Sequence, residues 1–296
     1  MKKPNLFIAG ATKCGTTTLV KFLSDNDSVF MPSDELTRDQ SFFSWRRSSY
    51  SLEDYLSVYS SATDKQVFLG DGSATYLHDE SISALIYEFN PEAKVIIMLR
   101  NPIDRGYSLY RWMVQEGYEW AGSYEKALEL ESKRAITGAQ RFFAPHLTES
   151  YMYFSTGLYY SQVKAYKELF KDNLMVVNLD NFYNDFDSTY SSICSFLGIE
   201  VNNVNKEVLN KSKDVFSPKL QFFLRKISNI IFMARSVLGI AAKNKDSRDF
   251  LMTLGLYEGK KNKLPEKIRE QLKVEYLPDL KKLSDLLGED FTYWCK

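Results

Sequence analysis

The segment from Leu6 to Leu19, Leu-Phe-Ile-Ala-Gly-Ala-Thr-Lys-Cys-Gly-Thr-Thr-Thr-Leu, constrains the fold more than any other part of the chain. Its apolar start is typical of a strand that is buried on both faces, and the residues from Thr16 to Ser24 follow with an apolar stripe of helical spacing. A glycine-containing turn between a strand and a helix presents backbone N–H groups at the positive end of the helix dipole. The segment therefore predicts a phosphate-binding strand-turn-helix.

The turn contains the residue types that hold a phosphate. Gly10 and Gly15 allow close approach of the backbone, and Lys13 adds positive charge. The order differs from the nucleoside-triphosphate loop GxxxxGK[ST], because Lys13 precedes Gly15 instead of following it. The predicted phosphate ligands of the turn are Lys13, Cys14, Gly15, Thr16, Thr17 and Thr18.

Further apolar runs and helical stripes alternate along the chain. The predicted strands are Asn5–Ala9, Gln66–Leu69, Lys94–Leu99 and Leu174–Leu179. Besides Thr16–Ser24, the predicted helices include Pro102–Gln115, Gly157–Phe170 and Ser188–Leu197. Strands that alternate with helices predict an α/β fold in which helices flank a central, mostly parallel sheet. No repeat or linker divides the chain, so we expect a single domain over residues 1–296.

Composition excludes several classes of protein. With 44% hydrophobic and 26% charged residues in 296, the chain is globular rather than disordered. Thirty-eight basic residues balance 38 acidic ones, so no overall field attracts nucleic acid and any anion site is local. The three cysteines lack disulfide or metal spacing, which predicts free thiols and no metal. The apolar run near the N-terminus is too short for a signal peptide or a membrane span, which predicts a cytoplasmic protein.

An amphipathic, basic segment runs from Pro218 to Lys243. Its helical stripe favours a lid or core helix of the same domain, while a peripheral membrane helix or a dimerisation helix is the alternative. Its charges exclude a transmembrane span. The sequence leaves the oligomeric state open.

A second motif follows the strand Lys94–Leu99. The strand ends in Arg100, and a helix that begins at Pro102 carries Ser108 two turns in. A residue at the carboxyl tip of a strand points into the crevice where open α/β sheets bind ligands. Arg100 and Ser108 are therefore predicted to hold a second phosphate.

The two motifs together resemble the PAPS-dependent sulfotransferases, in which PAPS is 3′-phosphoadenosine 5′-phosphosulfate. Thr-Lys-Cys-Gly-Thr-Thr-Thr-Leu is similar to their 5′-phosphosulfate loop, and Leu-Arg-Asn-Pro-Ile-Asp-Arg-Gly-Tyr-Ser is similar to their 3′-phosphate motif. Three further segments resemble the family: Gly70–Tyr76, Gly157–Tyr159 and Phe291–Trp294. The resemblance is greatest to the Golgi heparan sulfate branch and its bacterial relatives.

The resemblance implies transfer of a sulfuryl group from PAPS to an acceptor hydroxyl or amine, favouring a carbohydrate, with release of adenosine 3′,5′-bisphosphate (PAP). Lys13 would neutralise the leaving phosphate during an in-line displacement. A third cofactor contact is expected at Gly259, Lys260 and Lys261. The alternatives are a nucleotide kinase or NTPase, and a non-catalytic scaffold that binds a nucleotide.

The same resemblance indicates candidates for the general base and the acceptor site. Asp39 stands where the heparan branch has its catalytic glutamate, and Arg38 stands where a lysine commonly precedes it. His78 is a second candidate base. Arg38, Asp71 and Tyr76 are predicted to contact the acceptor, and Asp71 is a further candidate base.

Two further expectations concern the surroundings of the acceptor. The heparan branch has a lysine near the reaction centre where this chain has Gly72. The aromatic segment from Tyr118 to Phe154 is predicted to shape the acceptor site, because variable insertions carry specificity. His146 lies in this segment and is predicted to be structural.

Overall fold

The computed structural model describes residues 2–32, 40–44, 50–138, 148–204, 214–215, 217–237, 253–257 and 263–296. The chain divides into two compact units. The first contains Met1–Arg105, Leu158–Leu209 and Lys273–Lys296, and the second contains Gly106–Gly157 and Asn210–Leu272. A single domain over 1–296 stays a prediction.

A five-stranded parallel sheet forms the centre of the first unit. Its strands are β1 (Leu6–Gly10), β2 (Val29–Phe30), β3 (Phe68–Asp71), β4 (Lys94–Leu99) and β5 (Leu174–Asn178). Their order is β2-β3-β1-β4-β5, and each neighbouring pair is parallel. The predicted α/β fold with a parallel sheet is confirmed. The sequence missed β2, because two residues are too short to show a pattern.

The central strand β1 is where the order of the sheet reverses. Leu6 pairs with Gly70 on one side and with Lys94 on the other, and all five residues of β1 are buried. The chain first adds strands on the β3 side of β1 and then returns to add β4 and β5 on the opposite side. Open α/β sheets bind ligands at the carboxyl ends of the strands at such a reversal. The topology therefore predicts a ligand site at the turn after β1.

Helices precede and follow these strands. Their bounds are α1 (Thr16–Ser24), α2 (Leu52–Ser57), α3 (Ser81–Phe89), α4 (Pro102–Gln115), α5 (Tyr124–Thr137), α6 (Tyr159–Phe170), α7 (Leu179–Asn184), α8 (Phe186–Leu197), α9 (Pro218–Val237) and α10 (Glu266–Leu287). The predictions for α1 and α4 are confirmed to the residue, and α6 and α8 begin within two residues of their predicted starts. The predicted continuation of α9 over 238–243 lies outside the described residues.

The C-terminal turn Thr292–Cys295 is hydrogen-bonded to residues that follow β4 and the edge strand β5. Asp180, just after β5, accepts hydrogen bonds from Tyr293 Oη and Trp294 Nε1, each at 2.9 Å. Asn101, just after Arg100, donates through Nδ2 to the Trp294 carbonyl at 3.1 Å. These bonds hold the loops after β4 and β5 at fixed positions.

The second unit is organised around a buried ion pair. Arg134 on α5 donates through Nη1 to Glu119 Oε2 at 2.7 Å and through Nη2 to Glu119 Oε1 at 2.8 Å. Glu119 also accepts from Tyr153 Oη at 2.7 Å and from the Ala121 N–H at 2.8 Å. Its side chain is completely buried. The carboxylate therefore has a full set of donors in place of water.

Helix α9 is amphipathic, as predicted. Gln221 and Arg225 donate to the carbonyls of Gln115 and Glu116 at 2.8 and 2.6 Å, so one face lies against the end of α4. The other face exposes 62% of Phe223 and 66% of Ile230. Among the described helices, none is long and apolar enough to cross a bilayer. The lid, membrane and dimerisation roles of α9 and the cytoplasmic location stay predictions.

The buried ion pair generates the first testable prediction. We expect Arg134→Ala to lower the free energy of unfolding by about 3–5 kcal/mol, because it leaves the Glu119 carboxylate buried without its cation. Lys133→Ala, one residue earlier on the same helix and exposed, should change it by less than about 0.5 kcal/mol. Urea unfolding followed by circular dichroism measures both. Equal effects of the two substitutions would contradict this account of the unit.

Candidate active site

The turn after β1 requires glycine at both ends. Gly10 has φ +153°, and a Cβ there would lie 2.6 Å from Leu77 Cβ and 2.9 Å from the Ala74 carbonyl oxygen. Gly15 has φ +81°, and its Cβ would lie 2.6 Å from Leu179 Cδ1. Both backbone angles are rare for residues with a side chain. The two glycines therefore let the turn pass closely between the loops that follow β3 and β5.

The turn ends at the N-terminus of α1. Gly15 is the N-cap residue, and in the described part of the chain no side chain caps this helix end. The Thr18 N–H donates to the Gly15 carbonyl at 3.0 Å, and the N–H groups of Thr16 and Thr17 point out of the helix end. Thr16 is buried, whereas Thr17 is exposed. This is the arrangement that holds a phosphate at a helix N-terminus.

Lys13 is held in an unusual backbone conformation. Its φ is 69°, in the left-handed region that costs a non-glycine residue about 1–3 kcal/mol. The following Cys14 N–H donates to the Ala11 carbonyl at 3.1 Å, and the Ala11 N–H donates to the Met98 carbonyl at 2.8 Å. Such strain persists where surrounding contacts fix it, and it concentrates at binding and catalytic sites.

Arg100 brings the two sequence motifs together. Its Nη1 donates to the Lys13 carbonyl at 3.4 Å, and its own carbonyl accepts from Tyr159 Oη at 2.9 Å. The predicted second phosphate ligand therefore lies beside the predicted phosphate turn. Tyr159 Oη is also 4.0 Å from the Sγ of Cys14. Burial raises the pKa of the Cys14 thiol to about 11, so it adds no negative charge to the turn at neutral pH.

A buried carboxylate lies at the carboxyl end of β3. Asp71 accepts hydrogen bonds from Tyr55 Oη and Tyr76 Oη, each at 2.8 Å, and from Ser73 Oγ. Burial, together with the charge of Asp71, raises the pKa of Tyr55 and Tyr76 well above the usual tyrosine range, so both phenols stay protonated as donors. Asp71 and Tyr76, which the sequence assigns to the acceptor, are both 0% exposed.

Residues 40–44 pack directly against this carboxylate group. The Ser41 N–H donates to Ser73 Oγ at 2.8 Å, and the Phe43 N–H donates to Tyr76 Oη at 3.4 Å. Phe42 stacks on Tyr55 with ring centroids 4.3 Å apart. Both phenylalanines are buried. The segment that follows Arg38 and Asp39 is thus anchored in the core, while Arg38 and Asp39 themselves lie outside the described residues.

His78 has buried ring nitrogens. Among the described residues neither Nδ1 nor Nε2 has a hydrogen-bond partner. Burial, and to a lesser extent the positive charge of Arg105, lowers the pKa of His78 to about 3. A group with so low a pKa is a weak proton acceptor at neutral pH. This environment favours the other candidate base, Asp39.

Not every predicted site residue lies in the described part of the first unit. Gly259, Lys260 and Lys261 fall outside the described residues, as does His146, which is predicted to be structural, and Ser108 lies on the part of α4 that belongs to the second unit. Within the described ranges, no three His, Cys, Asp or Glu side chains are grouped as a metal site.

Two residues beside the phosphate turn escaped the sequence analysis. Arg105 is completely buried, and its charge acts on both Cys14 and His78. Tyr159 joins Cys14 to the end of β4. Each lies within a segment that resembles the family, and this position could have marked it as a candidate. The sequence did not show that these side chains are buried.

A family model described as the sulfotransferase domain matches residues 3–284. The chain belongs to the sulfotransferase family. It is therefore a transferase, as the two motifs predict, and the kinase alternative loses its support. Sulfotransferases are PAPS-dependent enzymes.

The curated relatives of this chain are much longer proteins. It is 30% identical over 164 residues to bifunctional heparan sulfate N-deacetylase/N-sulfotransferase 1 of Caenorhabditis elegans, covering 51% of this chain and 19% of the relative. It is 26% identical over 212 residues to the human form 2, covering 66% of this chain and 22% of the relative. The chain thus corresponds to about a fifth of each of these proteins.

A solved structure supports the fold. The crystal structure of a sulfotransferase from Alicyclobacillus acidocaldarius superposes with a TM-score of 0.72 and 22% identity, and the match covers 100% of both chains. This likeness shows that the two proteins share a fold.

The buried imidazole generates a prediction on pH. Because the pKa of His78 is about 3 in the folded protein and near 6.5 when unfolded, the unfolded chain binds more protons between these values. Stability contributed by the neutral ring is therefore complete above pH 6.5 and is lost as the pH falls towards 3. We expect His78→Leu to reduce the pH slope of the unfolding free energy there by up to about 1.4 kcal/mol per pH unit. Urea unfolding between pH 4 and 7 measures the slope, and an unchanged slope would contradict the burial of the ring.

Proposed function

We propose that the protein transfers a sulfuryl group from PAPS to a hydroxyl or amine of a carbohydrate and releases PAP. The observation that carries this proposal is the bond between Arg100 and the Lys13 carbonyl. It joins a phosphate-binding turn to a cationic strand tip at the point where the sheet order reverses. A sulfuryl donor that carries two separate phosphate groups, as PAPS does, matches the turn and Arg100.

The 5′-phosphosulfate would bind at the N-terminus of α1. Donors for its oxygens are the N–H groups of Gly15, Thr16 and Thr17 and the hydroxyls of Thr16, Thr17 and Thr18, because the N–H groups of Cys14 and Thr18 donate to the Ala11 and Gly15 carbonyls. The acceptor atom attacks sulfur as the bond from sulfur to the bridging oxygen breaks, and that oxygen leaves on PAP with the electron pair. Lys13 stabilises the negative charge that develops there.

The 3′-phosphate would bind Arg100. A guanidinium binds phosphate with charge-assisted hydrogen bonds, and the contact of Tyr159 Oη with the Arg100 carbonyl keeps that residue in place. Ser108 and the basic residues at 259–261 stay predicted contributors. No metal ion takes part in this proposal, since the positive charges come from the protein.

The acceptor class is suggested by the relatives. The names of the curated relatives state heparan sulfate N-sulfotransferase activity, so an amine on a glycan is included beside a hydroxyl. The acceptor loses a proton as it attacks, and Asp39 is the proposed base that receives it. Aspartate is one methylene shorter than the glutamate of the heparan branch, so the acceptor would lie closer to the backbone of this segment.

The cofactor site can be tested by calorimetry without magnesium. We expect PAP to bind the wild type at least 10-fold more tightly than AMP, because AMP lacks the 3′-phosphate that Arg100 recognises. Arg100→Ala should weaken PAP binding by about 10- to 100-fold and leave AMP binding nearly unchanged. Lys65→Ala, an exposed cation elsewhere on the first unit, is the control.

Two outcomes would favour the alternatives. Tighter binding of ATP with magnesium than of PAP would restore the kinase interpretation. Tight PAP binding with no transfer to any glycan would favour the non-catalytic scaffold.

The base can be tested by steady-state kinetics with PAPS and a panel of glycans that includes N-desulfated heparin. We expect Asp39→Asn to lower kcat by about 10²- to 10⁴-fold, because the acceptor proton then has no carboxylate to receive it. The affinity for PAP should stay the same. Asp39→Glu should keep a larger share of the activity than Asp39→Asn. If His78→Gln lowers kcat and Asp39→Asn does not, the base is His78.

A further inference from the structure

We propose that Asp71 is a positioning residue that fixes residues 40–44 through two hydroxyl relays and thereby orients the backbone beside Asp39. The proposal rests on the proposed function, in which Asp39 is the base. It replaces the predicted contact between Asp71 and the acceptor with a role inside the protein.

The first relay passes through Ser73. Ser73 Oγ donates its proton to Asp71 Oδ1, which leaves the oxygen of the hydroxyl free to accept. The Ser41 N–H occupies that acceptor position at 2.8 Å. Ser41 and Ser73 are 3% and 0% exposed, so water does not compete for either bond. The orientation of the Ser73 hydroxyl is thus set by the carboxylate.

The second relay passes through Tyr76. Its phenol donates to Asp71 Oδ2 at 2.8 Å and accepts from the Phe43 N–H at 3.4 Å. The rings of Phe43 and Tyr76 also pack edge to face at 5.8 Å. The backbone N–H groups of Ser41 and Phe43 are therefore both connected to the Asp71 carboxylate, each through one hydroxyl.

The backbone between the relays needs such support. Ser41 has φ 46°, a left-handed conformation that costs a residue with a side chain about 1–3 kcal/mol. Residues in this region persist only where the surrounding structure determines them. Ser41 lies two positions after Asp39, so relaxation of its backbone would move the start of this segment.

The chemistry of the group favours a carboxylate over an amide. An ionised aspartate only accepts hydrogen bonds, and three hydroxyl donors converge on Asp71. An asparagine presents an NH₂ on one side, so it would face a hydroxyl with a donor and force that hydroxyl to rotate. If the Ser73 or Tyr76 hydroxyl rotated, its proton would point at the backbone N–H of Ser41 or Phe43. The hydroxyl oxygen could then no longer accept a hydrogen bond from that N–H.

The test is hydrogen exchange on Asp71→Asn, read at the amides of Ser41 and Phe43. We expect exchange of these amides to rise by at least about 10-fold, while exchange of the amides in α1 and the affinity for PAP stay at wild-type values. The double variant Ser73→Ala/Tyr76→Phe should give the same pattern with Asp71 intact.

Tyr55→Phe is the matched control. It removes a third donor from the same carboxylate, but the Tyr55 hydroxyl lies on neither relay. Exchange at Ser41 and Phe43 should therefore stay near the wild-type rate. In transfer assays with PAPS, Asp71→Asn should lower kcat and leave the KM for PAPS unchanged.

The outcomes separate this inference from the proposed function. Unchanged protection at Ser41 and Phe43 in a folded Asp71→Asn protein would overturn the inference, as would an equal loss of protection throughout the unit. If Asp71→Asn does not fold, Ser73→Ala and Tyr76→Phe decide the question one relay at a time. Selective loss of protection in Asp71→Asn would support the relays. If the wild-type protein also binds PAP but transfers nothing, the proposed function is refuted while the relays stand.

Discussion

The structure depends on the close passage of the backbone between β1 and α1. Leu77 approaches the turn at Gly10, and Leu179 approaches it at Gly15, so the loops after β3 and β5 hold it from two sides. Any side chain at either glycine would push the turn away from these loops. Because the turn is fixed, the N-terminus of α1, the strained Lys13 and the bond from Arg100 all have fixed positions relative to the sheet. In a chain with no net charge, the proposed anion site therefore depends on this local geometry.

The carboxyl ends of three adjacent strands carry three different kinds of polar group. The end of β1 supplies backbone donors, the end of β4 supplies the guanidinium of Arg100, and the end of β3 supplies the buried carboxylate of Asp71. The first two face a proposed anionic donor, and the third faces into the protein. A layer of three hydroxyls, from Tyr55, Ser73 and Tyr76, encloses the Asp71 carboxylate. The same layer supports the segment on which the proposed base lies.

Much of this could be predicted from the sequence, and the failures have physical causes. Buried parallel strands are continuous apolar runs, so β1 and β4 were found with nearly correct bounds, while the two residues of β2 carry no period. The strand-turn-helix from β1 to α1 was predicted because a buried apolar run, a glycine-containing turn and a helical stripe follow one another, while its phosphate ligands stay predictions. Asp71 was assigned to the acceptor site from its place in a family-like segment, and that contact stays a prediction. Its donors Tyr55 and Ser73 are ordinary residues in the sequence, and only folding shows that they enclose it.

The burial of Cys14 has a consequence for the durability of the donor site. A thiol reacts with oxidants and alkylating agents as the thiolate, and Cys14 combines 0% exposure with a pKa near 11. Cys295 is partly accessible and would be modified first. The cysteine in this turn therefore stays a protected thiol, and oxidation of Cys295 leaves the turn chemically unchanged.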